Sequence, residues 1–129
     1  MTRRQTISTN TTWEVAYGYA RAVRVGDVVE VAGTVAVDDS GQVAGETVYE
    51  QTRFILGKIE RALQAAGAEL RHVVRTRWYL TDIRTLDQAG RAHGERFAAI
   101  RPVATAIQVS ALVEPAMLVE IEATAIVAD

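Results

Sequence analysis

The chain has 129 residues, a formal net charge of −2, 49% apolar and 23% charged residues, and no cysteine. That length suits one domain over residues 1–129 with a core of its own, and the mild acidity excludes a large basic field for nucleic acid. The lack of cysteine removes disulfides, thiol nucleophiles and thiolate metal ligands together. No apolar run reaches the roughly 18 residues of a membrane span. The N-terminal stretch MTRRQTISTNTTWEV has no apolar signal core, so a cytoplasmic protein is expected. Without an export signal, Asn10-Thr11-Thr12 is not read as a glycosylation site.

Residues 19–25, YARAVRV, alternate as a strand does. Gly26-Asp27 then separates them from VVEVAGTVAV at 28–37, which together read as a β-hairpin. Asp38-Asp39-Ser40-Gly41 is the next turn. A helix is predicted over 47–66, with Val48, Ile55, Ile59, Ala62, Leu63 and Ala66 at helical spacing. Glu46 and Glu50 suit its start and Gly67 its end. VVRTRWYLT at 73–81 is a third strand, and Thr85 to Phe97 a second helix with a Thr or Asp cap. Pro102 opens a fourth strand at 103–110, read as buried; Glu114-Pro115 makes a turn, and MLVEIEATAIV at 117–127 is the last strand.

The expected order is β-β-α-β-α-β-β. Two helices can cover only one face of such a sheet. The strands carry Val, Ile, Ala and Leu on both faces. Residues 103–109 place Val103, Ile107 and Val109 on one side and the small Ala104 and Ala106 on the other. Self-association is the simplest cover for the second face.

The common catalytic signatures, G-x-S-x-G, G-x-x-x-x-G-K, G-x-G-x-x-G and H-E-x-x-H, are absent. His72 precedes the third strand and suits a surface or packing role. His93, on the second helix near Glu95, is a candidate proton carrier, although a helix-surface position is the simpler reading. Charge inside strands is more informative. Arg75 and Arg77 share one face, opposite Val74, Thr76, Trp78 and Leu80. Glu120, Glu122 and Thr124 share a face opposite Val119, Ile121 and Ala123. With the apolar set under the helices, the charged set points to the uncovered side, where it must be paired or solvated. Cross-strand or cross-subunit Arg–Glu pairs are expected there, and Trp78 is expected to pack under the helices.

Three stretches carry a resemblance: GYARAVRVGDVVEVAGTVAVDDSGQVAG at 18–45, EQTRFILGKIERALQAAGAELRHVVRTRWYLTDI at 50–83, and RPVATAIQVSAL with LVEIEA over 101–123. In that order they resemble the RidA (YjgF-type) family of reactive imine and enamine deaminases. The resemblance implies an α/β (α+β) fold of chorismate-mutase type, helices on one sheet face and the other face in the barrel-like core of a homotrimer. It implies small-molecule clefts between subunits, hydrolysis of imines or enamines to keto acids and ammonia, and no metal or organic cofactor. It carries Tyr19, Gly33, Ala104 and Thr105 over as substrate-binding positions and Glu120 as the residue that positions the attacking water. The family's substrate-binding Arg, in its P-A-R-S/T step, aligns with Ala104. The Asn of its second-helix pattern aligns with Gly90, and the Tyr three residues later with His93.

An Arg–carboxylate fork is charge-assisted and directional. Removing one partner of such a pair costs roughly 2–5 kcal/mol, so weak or no hydrolysis of 2-imino acids is expected. The cleft then takes an uncharged or differently charged ligand, or Arg21 or Arg77 restores the anion site, or the chain is a non-catalytic trimeric binder or pathway partner. Some relatives are described as endoribonucleases; the charge and the lack of a basic, aromatic-rich groove point away from that here.

Overall fold

A strand and a short helix precede the expected hairpin. The computed structural model describes residues 3–128. It opens with β1 (Arg4–Ile7) and α1 (Thr12–Tyr17), then β2 (Ala22–Val25), β3 (Val28–Val35), α2 (Val48–Ala65), β4 (Val73–Leu80), α3 (Leu86–Phe97), β5 (Val103–Gln108) and β6 (Val119–Ile126). The β-β-α-β-α-β-β order is therefore correct from β2 onward and lacked its first two elements. Both hide from periodicity. β1 is a four-residue polar edge strand, and the six residues of α1 are too few to show an apolar stripe.

One sheet holds all six strands in the order β1-β2-β3-β6-β4-β5. Every neighbouring pair is antiparallel except β4 and β5, which run parallel through the α3 crossover. Helices α2 and α3 cover one face. The predicted stripe on α2 is the buried one: Val48, Ile55, Ile59, Ala62 and Leu63 pack with Val29, Val31, Val119 and Ile121 of the central strands.

Local chemistry sets the ends of α2. The Thr47 hydroxyl accepts from the Glu50 N–H, and the Glu50 carboxylate accepts from the Thr47 N–H, a reciprocal capping box. At the other end Gly67 adopts φ +80°, and the Ala68 N–H reaches back to the Leu63 carbonyl. Arg24 donates to the Ala66 carbonyl at 2.9 Å, a cation on the negative end of the helix dipole.

Two strand readings need correction. Val74 does not face the helices. The β4–β6 register shifts between Val73 and Arg75, so Val73 takes the core position and Val74 is left 40% exposed. Nor is 103–110 a buried strand within one chain. It is the edge strand, and Val103 and Ile107 are exposed. With Val25, Val28, Val74 and Ile126 they leave the face opposite the helices dotted with exposed apolar side chains. No helix among the described residues is long and apolar enough to cross a membrane.

Candidate functional site

The alternation of β3 breaks at Ala32-Gly33, where its register against β6 shifts between Val31 and Thr34. The break lets a β6 side chain approach the β3 backbone more closely than a side chain at position 33 would allow. A Cβ on Gly33 would lie 2.2 Å from Oε2 of Glu120, so the carboxylate rests on the glycine itself. Glu120 reaches this point from β6, on the side of the sheet away from the helices, opposite Val35 and Tyr79.

Arg21 completes the corner. Its N–H donates to the Ile7 carbonyl at 2.8 Å, and its own carbonyl accepts from the Ala32 N–H at 3.0 Å. The residue is thus fixed between β1 and β3. Its guanidinium donates through Nη2 to the Gly33 carbonyl at 3.0 Å and lies 5.9 Å from the centre of the Tyr19 ring. Tyr19 itself follows the left-handed Gly18 (φ +74°) that ends α1, and its ring is partly exposed.

Glu120 and Glu122 are neighbours on the same face with different fates. Glu122 is occupied: Arg77, directly across the β4–β6 ladder, sits at 3.3 Å, and the Tyr79 hydroxyl donates to it at 2.5 Å. The expected cross-strand Arg–Glu pair is present. Glu120 has no ion pair among the described residues. Burial pushes its carboxyl above the usual range, the Glu122 charge adds to that, and the Arg21 charge opposes it. A half-buried, unpaired carboxylate of raised proton affinity has the properties of a general base. Beside it, Gly33, Ala32, Glu30, Arg77 and Glu122 line a shallow depression.

The family model described as Endoribonuclease L-PSP matches residues 9–127. The chain belongs to this, the YjgF/RidA family. The crystal structure of Rv2704 from Mycobacterium tuberculosis, described as a member of the YjgF/YER057c/UK114 family, superposes with a TM-score of 0.90 at 46% identity, covering 97% of this chain and 100% of that one. An uncharacterized protein of Streptomyces coelicolor is 37% identical over 119 residues, 92% of this chain and 89% of its own. The human protein named 2-iminobutanoate/2-iminopropanoate deaminase is 32% identical over 109 residues, 84% of this chain and 79% of its own.

Of the positions singled out in this YjgF/RidA chain, Tyr19, Arg21, Gly33 and Glu120 come together. Ala104 and Thr105 do not join them within one chain. Thr105 pairs in register with Arg77 and so shares the open face. Ala104 pairs with Thr76 and lies on the helix side, two strands away from β6 by way of β4. Arg77 is held by Glu122.

His93 is not on the helix surface. It is 8% exposed, wedged between the rings of Trp78 at 4.6 Å and Phe97 at 4.5 Å. Its Nε2 lies 2.9 Å from the Thr76 hydroxyl, which also accepts from the Trp78 indole N–H at 2.9 Å. The Thr76 hydroxyl can both donate and accept, so it serves either tautomer of the imidazole. Burial alone holds that imidazole down at about 4. His93 and Glu120 therefore lie on opposite faces of the sheet. Trp78 packs under the helices as expected. His72 is also buried, its Nδ1 accepting from the Glu69 N–H at 3.0 Å.

Sequence reasoning missed Tyr79, whose hydroxyl keeps Glu122 engaged and so leaves Glu120 as the unpaired carboxylate. Its signal was available, since Tyr79 alternates with Arg75 and Arg77 on the charged face. Among the described residues no group of His, Asp and Glu is arranged to hold a metal ion.

Proposed function

We propose that this chain forms a homotrimer with a small-molecule cleft between subunits, and that it hydrolyses an imine or enamine with weak or no activity on 2-imino acids. The observation that carries the reading is the unpaired Glu120 carboxylate resting on Gly33 beside Tyr19 and Arg21. The deaminase names of the human and mouse relatives, each 32% identical, support the reaction class. The exposed apolar sheet face supports self-association. That Ala104 and Glu120 lie on opposite faces supports a site shared between copies.

In this reading Glu120 takes a proton from water as the water oxygen attacks the C=N carbon. That proton is returned to nitrogen to give the neutral carbinolamine; Glu120 then carries the hydroxyl proton to the same nitrogen, and the C–N bond breaks to leave a carbonyl compound and ammonia. An enamine enters the same path after proton transfer to carbon gives the imine. Neither a metal nor an organic cofactor takes part. Tyr19 packs on the substrate. Ala104 offers a carboxylate no charge-assisted partner, which is why 2-imino acids are disfavoured.

The test is ammonia release from 2-iminobutyrate and from an uncharged imine, by the wild type and Glu120→Ala. The wild type is expected to prefer the uncharged imine, and Glu120→Ala to lose roughly 100-fold or more, the range of general acid–base catalysis. Turnover that survives in Glu120→Ala rejects the mechanism. A wild type that releases no ammonia, yet carries a small molecule in native mass spectrometry, is a trimeric binder instead.

A further inference from the structure

We propose that Arg21 is a positioning residue: pinned to the Gly33 carbonyl, it holds a positive charge beside Glu120 and keeps that carboxylate in the basic form a water-activating role requires. The inference rests on the reading of Glu120 as the base.

Three observations carry it. Arg21 is fixed at both ends, by backbone hydrogen bonds to Ile7 and Ala32 and by the side-chain bond to Gly33. Gly33 is also the residue against which Glu120 rests, so one bulge places cation and anion together. Yet no ion pair joins them. A direct fork would occupy the carboxylate oxygens. A charge a little farther away favours the anion through space in a half-buried site and leaves those oxygens free for water.

The other charged groups around Glu120 do not supply this cation. Glu122 on β6 opposes ionisation, and Arg77 and Tyr79 on β4 are both engaged with Glu122. Glu30 on β3 accepts from the Thr124 hydroxyl at 2.5 Å. Lys58, on α2, spends its ammonium on the carbonyls of Val35 and Val37, each at 2.9 Å. Among the described residues, the Arg21 charge favours the carboxylate form of Glu120.

The experiment is a carboxyl 13C NMR titration of the full chain labelled at glutamate, with the Glu120 signal assigned by its loss in Glu120→Gln. In Arg21→Gln, which removes the charge and keeps the backbone hydrogen bonds to Ile7 and Ala32, the Glu120 midpoint is expected to rise. The acid limb of the pH–rate profile for ammonia release should move up with it. Arg21→Lys should return the midpoint most of the way. An Arg21→Gln midpoint equal to or below the wild type overturns the proposal. In the wild type, the Arg21 15Nε resonance should shift with the Glu120 midpoint; a flat trace overturns the proposal even where the variants fail to fold. The NMR midpoint needs no turnover. A Glu120→Ala protein that still releases ammonia rejects the hydrolytic reading while leaving the Arg21–Glu120 coupling to be judged on its own.

Discussion

A methyl group added at position 33 would sit 2.2 Å from Oε2 of Glu120 and 3.1 Å from its Cδ. The atoms in the way are the far end of a flexible side chain, so the clash is relieved by rotating Glu120. That rotation costs about 1 kcal/mol or less. The same rotation takes the carboxylate off its mark, and a displacement of about 1 Å in a positioned group can cost about 100-fold in rate. Gly33→Ala is therefore expected to unfold within a small margin of the wild-type urea midpoint while losing about 10- to 100-fold in ammonia release. Unchanged turnover with unchanged stability would show that the contact is only packing. Glu120 and Gly33 were each legible from the sequence as family positions. That one lies on the other was not, because it depends on a one-residue bulge in β3 that no alternation pattern marks.

At the scale of elements, α3 docks on β4 through a polar contact inside an apolar layer. His93 shares a hydrogen bond with Thr76 between Trp78 and Phe97, and burial there favours the neutral imidazole. Its folded value of about 4 lies below the ordinary 6.5, so the unfolded chain binds the proton more readily. The stability it contributes is complete above about 6.5 and is lost as pH falls toward about 4. Glu14, held at about 2, keeps its contribution above its ordinary 4.5 and loses it only below. Glu120 works the other way: its carboxyl is raised, so the folded state gains as that group protonates. Comparing wild type with His93→Gln isolates the histidine, since the carboxylates are common to both. Urea midpoints between pH 7 and pH 4.5 are expected to fall more steeply in the wild type than in His93→Gln. Parallel curves would mean that His93 protonates without strain.

The same scale explains the missed N-terminus. Glu14 is buried and accepts from the hydroxyls of Ser8, Thr9 and Thr11 and from the Thr9 N–H, which outweighs the burial that would raise its carboxyl. Polar bonds, not an apolar stripe, hold α1 in place. The spacing Thr11-x-x-Glu14 was the readable sign, a Thr cap with an acid three residues on. By contrast α2 announced itself twice, in its apolar spacing and in the Thr47–Glu50 capping box.

For the whole molecule, the decisive feature is a sheet that α2 and α3 cover on one face. Ile107 lies on the open face of the edge strand, 46% exposed within one chain, so a charge there costs the isolated fold little. If the proposed homotrimer forms, Ile107→Glu is expected to keep the wild-type circular dichroism while native mass spectrometry shifts from three chains toward one. A mass that stays at three chains would place the subunit contact away from β5.

By itself the sequence determined α2 and α3, the main strands and the sidedness of the sheet. These follow from local spacing, and a periodic apolar face must be buried somewhere. Through its ordered matches it also determined the family. Only the tertiary structure decided which charged residues are free. Arg77 and Glu122, Arg21 and Gly33, and His93 and Thr76 lie 45, 12 and 17 residues apart in the chain. Their pairing depends on strand register, a bulge and a helix crossover, and those are properties of the packed sheet. Glu120 stands out because its neighbours found partners and it did not.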